Sequence, residues 1–423
     1  MSANAELTSS NSDSLINRLS GRIRDVDSHE MIPALLWEKV YGQFAAPLAK
    51  LFLELQPDTV ANSSSVRIEK DEIPIAHESL PTYWGAGCRA PGSFDMKRRL
   101  EFMDAVGIKD SIIFGTVMSL TGQQLAHGGG ALLEKKWGGK VSLEKQWGGT
   151  ANFDPIILGQ QMVKAHNDWC IAVAAHSPRL RPVATILTES LQDALEESER
   201  VIGAGIRVVS VPAGSSIAGK APAHPDNDVL WGLYAKHDVS VMLHVGGEKT
   251  FLREPLAWAN APQFSSNTSV PTEVAADPYS IAASSLAAQN YFLNLILGAV
   301  FERVPTLRFG IMELGGHWIG PLAENMDVWV EKLFSRRYRG VLTMRPSEYV
   351  QRNIRVTPFN FEPVDKYIER FPFLQDVYCF STDYPHYEGG KDPIQVMAER
   401  LRPLGQDIAE KFFVTNASLV MPS

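Results

Sequence analysis

Three well-separated segments of this sequence end an apolar run with a side chain able to bind metal. Residues 23–30, IRDVDSHE, carry Asp27 and His29 two positions apart, so in an extended strand a carboxylate and an imidazole share one face. Such a pair can grip a divalent cation, or simply hydrogen-bond to each other, and so short a pattern does not separate the two. Residues 239–247, VSVMLHVGG, are apolar up to His244, which stands just before Gly246-Gly247. A core-strand histidine is commonly just a satisfied polar group, but one at a strand's C-terminal end is placed to reach a ligand. Residues 380–386, FSTDYPH, end a third run with Asp383, a carboxylate costly to bury without a cation, a donor or water. One shared cation would join all four. The water it binds, its pKa lowered from about 15.7 toward 7, becomes a nucleophile at neutral pH.

The elements that must position these groups follow from periodicity. Eight short apolar runs rich in β-branched residues fall at 23–28, 108–115, 181–187, 206–212, 239–245, 307–314, 354–359 and 377–382, most of them followed by a helical pattern. Runs such as VVSV and RFGIMEL have the continuous apolar character of strands buried on both faces. Between them, Asp95 and Gly107 bracket one helix, Asp154-Pro155 opens another, and Ser190 with Asp193 resembles a capping box. Alternating strand and helix implies a parallel sheet, and eight units predict an α/β protein with a closed (β/α)8 TIM barrel. No GxGxxG or GxxxxGK[ST] loop follows a strand, which weakens a nucleotide-binding alternative. In a barrel, the ends of separate strands meet at one rim. Insertions at about 31–91, 117–153 and 246–278 follow strands and are expected to cap that C-terminal rim, or else to form a subunit contact. The second holds two copies of a short motif, EKKWGGK at 134–140 and EKQWGGT at 144–150, which suit a hairpin-like lid better than a solenoid. Residues 1–21 are expected to be a flexible N-terminal segment preceding a barrel over 22–423.

Composition narrows the function classes. A formal net charge of −8 argues against nucleic acid or an anionic membrane as partner. Cys88, Cys170 and Cys379 are scattered, as in reduced core thiols rather than a disulfide frame. The polar N-terminus lacks the apolar stretch of a secretion signal, and residues 282–301 carry Gln289, Asn290 and Asn294, which fits a buried helix better than a membrane span. The expectation is a cytoplasmic enzyme.

The segments DSHEMIPALLW (27–37), VFERVPTLRFGIMELGGHWIGPL (300–322) and TDYPHYEGG (382–390) resemble the amidohydrolase-related branch of the amidohydrolase superfamily. The likeness runs from about Arg24 to Ala417. It implies a distorted TIM barrel and a metal-dependent hydrolase or non-oxidative decarboxylase. By this resemblance Asp27 and His29 match the strand-one metal pair and His244 the strand-five ligand. Asp383 matches the strand-eight aspartate that binds metal and handles the proton of the attacking water. Glu313 stands where many relatives have a strand-six histidine and could be a further ligand. His317 could substitute for that histidine or polarise a carbonyl, as could Arg207, and His386 could support a ligand or face the product. Strand four carries no Lys or Glu, which argues against a carbamylated-lysine bridge. Asp27 in place of a histidine suits zinc, manganese or iron. One cation is expected, and Glu313 with His317, or His386, could hold a second. Relatives that decarboxylate more often show E-x-H or H-x-H on strand one and are generally shorter, so hydrolysis of an amide, ester, lactone or thioester is the first expectation. Decarboxylation of a hydroxylated aromatic acid is the alternative, and a binding barrel without turnover the third. The expected partners are a small-molecule substrate and a second copy in a homodimer. Trp84, Trp137, Trp147 and Trp258 are candidates for an apolar pocket wall. His166, His176 and His237 are expected at the surface or as caps.

Overall fold

The apolar runs form parallel strands. β1 (Ile23–His29), β2 (Ile108–Phe114) and β3 (Leu180–Pro182) make one ladder. β4 (Ala184–Thr185), β5 (Val208–Ser210), β6 (Ser240–His244), β7 (Arg308–Met312) and β8 (Ile354–Val356) make a second. The structure, a computed structural model, describes residues 15–55, 75–128, 154–248, 251–252, 258, 261–264 and 278–422. β3 and β4 are two halves of one stave, the first paired with β2 and the second with β5. Pro182, which has no N–H to give, sits at the break, and Val183 N–H keeps the stave attached by donating to Ile113 O at 2.9 Å. Residues 377–384 close the ring. Cys379 N–H donates to Val356 O at 3.0 Å on one side, while Asp383 N–H donates to Asp27 O at 2.8 Å and His29 N–H to Tyr384 O at 2.7 Å on the other. The (β/α)8 barrel expected from the sequence is therefore the fold.

Two layers of side chains explain the continuous apolar runs. Val26, Ile112, Phe114, Val183, Val208, Met242, Met312 and Cys379 pack in one cluster closed by Ala417, Val420 and Met421. Alternate strand residues, among them Ile113, Val209, Val241, Phe309 and Ile311, pack outward in the larger core with the helices. The caps fall where the sequence puts them. Asp95 accepts Lys97 N–H at 2.9 Å, Asp154 accepts Ile156 N–H at 2.8 Å, and Ser190 Oγ accepts Asp193 N–H at 3.2 Å. The polar-flecked stretch around 289–294 lies in the helix Ser285–Leu297, whose Tyr291 and Phe292 rings pack against Phe309. Among the described residues no helix is long and apolar enough to cross a membrane.

The ends and insertions fall partly within the described residues. Residues 15–19 are helical and bury Leu15 and Leu19, while residues 1–14 lie outside the described set. Of the first insertion, the helices Trp37–Tyr41 and Ala46–Leu55 build a satellite core against Val117–Ala126 and Pro155–Ala174. The second insertion opens with the helix Val117–Ala126, which meets Pro155–Ala174 through Gly122 and Gly159. A Cβ on Gly159 would sit 2.4 Å from Ala126 N, so only glycine allows that approach. The Trp-Gly-Gly repeat, with Trp137 and Trp147, lies outside the described residues.

His176 is exposed and His237 follows the helix Asp228–Lys236, but His166 is fully buried, against the expectation. Its Nε2 lies 3.1 Å from Val183 O, and burial pushes its pKa down to about 4. A group depressed below its unfolded value near 6.5 contributes stability above that pH, lost as pH falls toward 4. Denaturant unfolding at pH 7 and pH 5 should show wild type losing about 2 kcal/mol more than His166→Gln, at about 1.4 kcal/mol per pH unit. Equal acid losses in the two proteins would remove His166 from the account.

Candidate metal centre

At the C-terminal mouth of the barrel the candidate ligands meet. Asp27 and His29 end β1, His244 ends β6, Glu313 is the first residue past β7, and Asp383 lies in the closing stave. His29 Nε2 is 3.1 Å from Asp383 Oδ1, 3.5 Å from Asp27 Oδ1 and 3.7 Å from Glu313 Oε2. His244 Nε2 is 3.1 Å from Glu313 Oε2 and 3.6 Å from Asp27 Oδ1. His386 joins them, its Nδ1 3.3 Å from Asp383 Oδ1 and its ring stacked on His29 at 3.9 Å. Two sets, His29–Glu313–Asp383–His386 and Asp27–His29–His244, each bring one ligand atom per residue within 4.8 Å of one another.

These contacts are at ion-pair distance but are poorly aligned as hydrogen bonds. Asp27 Oδ1, His29 Nδ1 and Nε2, His244 Nε2 and both Asp383 oxygens are buried, yet none meets the alignment of a hydrogen bond. Buried polar atoms are nearly always hydrogen-bonded, so carboxylate oxygens and imidazole nitrogens crowded together without well-aligned bonds fit a bound cation. The donor set, imidazole nitrogens with carboxylate oxygens, suits a borderline or hard divalent ion. His244 Nδ1 lies 2.9 Å from Val245 O, a carbonyl that can only accept, so Nδ1 carries the proton and Nε2 faces the carboxylates.

Electrostatics agree. Burial pushes Asp27 up to about 7; His244 opposes that rise, while Asp383 and Glu313 add to it. Burial, with His386 and His244 beside it, drives His29 well below its usual value and keeps it neutral, as a ligand must be. Burial alone would lower His244, but the Asp27 and Glu313 carboxylates outweigh it and hold the imidazole well above its usual value. The pull that places a proton on His244 Nε2 is the pull that would place a cation there.

The backbone at two of these positions is unusual. Glu313 and Asp383 have φ of 56° and 53°, a left-handed conformation uncommon for residues other than glycine and concentrated at functional sites. Buried polar residues brace these turns. Asp25 accepts Thr382 N–H at 2.9 Å, Thr382 Oγ1 at 2.7 Å and Ser111 Oγ at 3.0 Å, tying three staves together below the ligands. Arg99 donates to Ser28 Oγ at 3.0 Å and to His29 O, with its guanidinium 5.0 Å from the Tyr384 ring centre. Glu362 accepts the N–H groups of Phe359, Gly316 and His317 at 2.7, 2.9 and 3.1 Å. Trp84 braces rather than lines: its Nε1–H donates to Thr382 O at 3.0 Å and its ring meets Tyr384 edge-on. Trp258 is exposed.

Two expected groups stand elsewhere. His317 is half exposed and its Nδ1 pairs with Glu362 Oε1 at 3.4 Å, because the left-handed turns at Glu313 and Gly315 carry the chain away from the mouth. Arg207 donates to Ile202 O and Ile206 O before β5 begins, at the opposite end of the barrel. Neither reaches the cluster.

Beside His244 a narrow cleft, with an open volume of about 20 Å³, is flanked by Phe114, Leu120, Val183 and Val211. Phe114 lies against His244 with ring centres 4.4 Å apart and planes at 30°. Residues of the cleft that sequence reasoning passed over, Thr185 and Ser210, had one available signal: each is a lone hydroxyl inside an apolar run.

A family model described as amidohydrolase matches residues 148–419. An amidohydrolase from Mycobacterium avium subsp. paratuberculosis is 17% identical with a TM-score of 0.63, over 95% of this chain and 99% of that one. The 2,6-dihydroxybenzoate decarboxylase from Rhizobium is 16% identical with a TM-score of 0.53, over 95% and 98%. The 5-carboxyvanillate decarboxylase from Novosphingobium aromaticivorans, complexed with manganese and 4-hydroxy-3-methoxy-5-nitrobenzoic acid, is 16% identical with a TM-score of 0.54, over 96% and 97%. At these identities the likeness is one of fold. No curated protein matches the sequence.

Proposed function

The chain belongs to the amidohydrolase family, and on that premise we propose that it is a metal-dependent enzyme that decarboxylates a hydroxylated aromatic acid without an oxidant. The observation that carries this reading is the junction of two environments. A cluster of buried ligand atoms without well-aligned hydrogen bonds lies beside a cleft with an aromatic wall, apolar flanks and hydroxyl groups. The cleft is narrow, about 20 Å³, so a flat ring would have to part the Phe114 and Leu120 side chains to lie there, with its carboxyl end toward the ligands. Support also comes from the similar folds of the Rhizobium and Novosphingobium proteins, which are decarboxylases of such acids. This puts the alternative ahead of the hydrolase first expected.

Asp27, His29, His244 and Asp383 would hold the cation, with Glu313 and His386 beside them; zinc, manganese and iron fit these donors. Bound there, a divalent ion supplies positive charge that neutralises a substrate carboxylate and steadies the charge developing next to it. The rest falls to the protein. Phe114 and the apolar flanks fix the ring and exclude water. As the bond to the carboxyl carbon breaks and carbon dioxide leaves, the electron pair stays on the ring carbon and takes a proton from Asp383. His386, with Nδ1 3.3 Å from Asp383 Oδ1, is placed to restore that proton.

One observation favours hydrolysis as a second reading. Glu313 adds a third carboxylate to Asp27 and Asp383, and this acidic surround repels an anionic substrate and favours a neutral ester, lactone, amide or thioester. Asp383 would then take the proton of an attacking water and pass it to the leaving group. The deciding experiment measures carbon dioxide release from hydroxybenzoates beside product release from ester, amide, lactone and thioester panels, on one metal-loaded preparation. Carbon dioxide without hydrolytic product is the expected result. Hydrolytic product without carbon dioxide overturns the first reading in favour of the second.

A further inference from the structure

Along the floor of the cleft runs a row of three hydroxyls. Ser119 Oγ lies 2.7 Å from Thr185 Oγ1, which lies 3.3 Å from Ser210 Oγ. Thr185 and Ser210 are register partners on β4 and β5, so their side chains leave the sheet on the same side. The row is held from behind. Asn167 Oδ1 accepts Thr185 N–H at 2.8 Å, and its Nδ2 donates to Thr185 O at 2.9 Å and to Glu197 Oε1 at 2.6 Å. Across the same strands Ile186 N–H donates to Ser210 O at 2.9 Å. These hydroxyls are thus fixed by the barrel before any ligand arrives, which is the condition for selective hydrogen bonding.

We propose that the Ser119–Thr185–Ser210 row reads the substrate, accepting a neutral hydroxyl or carbonyl substituent remote from the reacting group and turning away a second carboxylate. Three hydroxyls bring three protons, and the two contacts within the row use two. One O–H and several lone pairs are left, which matches a hydroxyl that gives and accepts, or a carbonyl that accepts. A carboxylate would arrive with a full charge, and the residues lining the cleft include neither Lys nor Arg. A site built to hydrogen-bond a hydroxyl discriminates strongly against the analogue lacking it, because its own polar groups are then left unpaired. The inference rests on the proposed reading in one respect only, that the reacting molecule sits in this cleft; it holds for either reaction.

The test is calorimetric titration of metal-loaded protein with two matched series. One compares 3-hydroxybenzoate, benzoate and benzene-1,3-dicarboxylate; the other compares methyl 3-hydroxybenzoate with methyl benzoate. A meta hydroxyl cannot chelate an ion together with the carboxyl group, so any preference for it reports the cleft. The expected result in at least one series is that the hydroxylated ligand binds about tenfold tighter than its parent, with the dicarboxylate no tighter than benzoate. Thr185→Val keeps the branched shape, and should shrink the preference below about threefold at unchanged metal content. Should that variant fail to fold, Ser210→Ala and Ser119→Ala, at the ends of the row, are each expected to cut the preference severalfold. No hydroxyl preference in either series, a preference untouched by the substitutions, or tightest binding of the dicarboxylate overturns the proposal. Carbon dioxide release is scored separately, so failure of the row and failure of the decarboxylase reading are distinguishable.

Discussion

Changing His244 to alanine is expected to cost most of the bound metal and at least about a thousandfold in turnover. Its Nε2 stands between the Glu313 and Asp27 carboxylates at 3.1 and 3.6 Å, and its Nδ1 is anchored on Val245 O. Alanine removes a ligand and also the group that offsets carboxylate repulsion. The remaining acids then take up protons more readily, and a protonated carboxyl competes poorly for a cation. Two measurements check this together. Metal analysis should fall from near stoichiometric to a small fraction. The rise in melting temperature that metal gives the wild type should vanish, because a ligand bound only to the folded state stabilises it in proportion to its occupancy. A chelator should lower the wild-type melting temperature and leave His244→Ala unmoved. Full metal and full activity in the variant would show that the centre lies elsewhere.

What was legible in the sequence followed from where strands end. Asp27, His29, His244 and Asp383 each interrupt an apolar run at its C-terminal end, and parallel staves carry such ends to one rim. Glu313 could be placed in the same way, one residue past β7. His317 could not, because spacing does not reveal a left-handed turn. Strand periodicity stops at Met312, and from there φ at Glu313 and Gly315 sets the direction of the chain. Buried helix positions were equally opaque. His166 falls on a helix face that the hydrophobic period marks only weakly, and its burial depends on a carbonyl at the β3–β4 break. Asp25, Arg99 and Glu362 escaped for a related reason. Each hydrogen-bonds backbone or hydroxyl groups distant in sequence, and no local pattern announces a partner 46, 70 or 357 positions away.

Asp383→Asn should separate holding a cation from using it. The fold has little reason to change. Asparagine tolerates the left-handed φ of 53° better than most residues, and the backbone bond from residue 383 N–H to Asp27 O at 2.8 Å does not involve the side chain. Asp27, His29, His244 and Glu313 remain, so metal content should stay near the wild-type level. An amide, however, offers one oxygen where the carboxylate offers two, and it neither stores nor releases a proton at neutral pH. Both candidate reactions require that transfer, to ring carbon in one and from water in the other. Turnover should therefore fall by about 10³-fold or more while KM moves little, the pattern of a group that acts only in the transition state. The contrast with His244→Ala is the argument. One variant loses the ion and with it the activity; the other keeps the ion and loses activity all the same. If Asp383→Asn turned over substrate within tenfold of wild type, the proton would have to come from another group, and His386, stacked on His29 and 3.3 Å from the Asp383 carboxylate, would be the first to test.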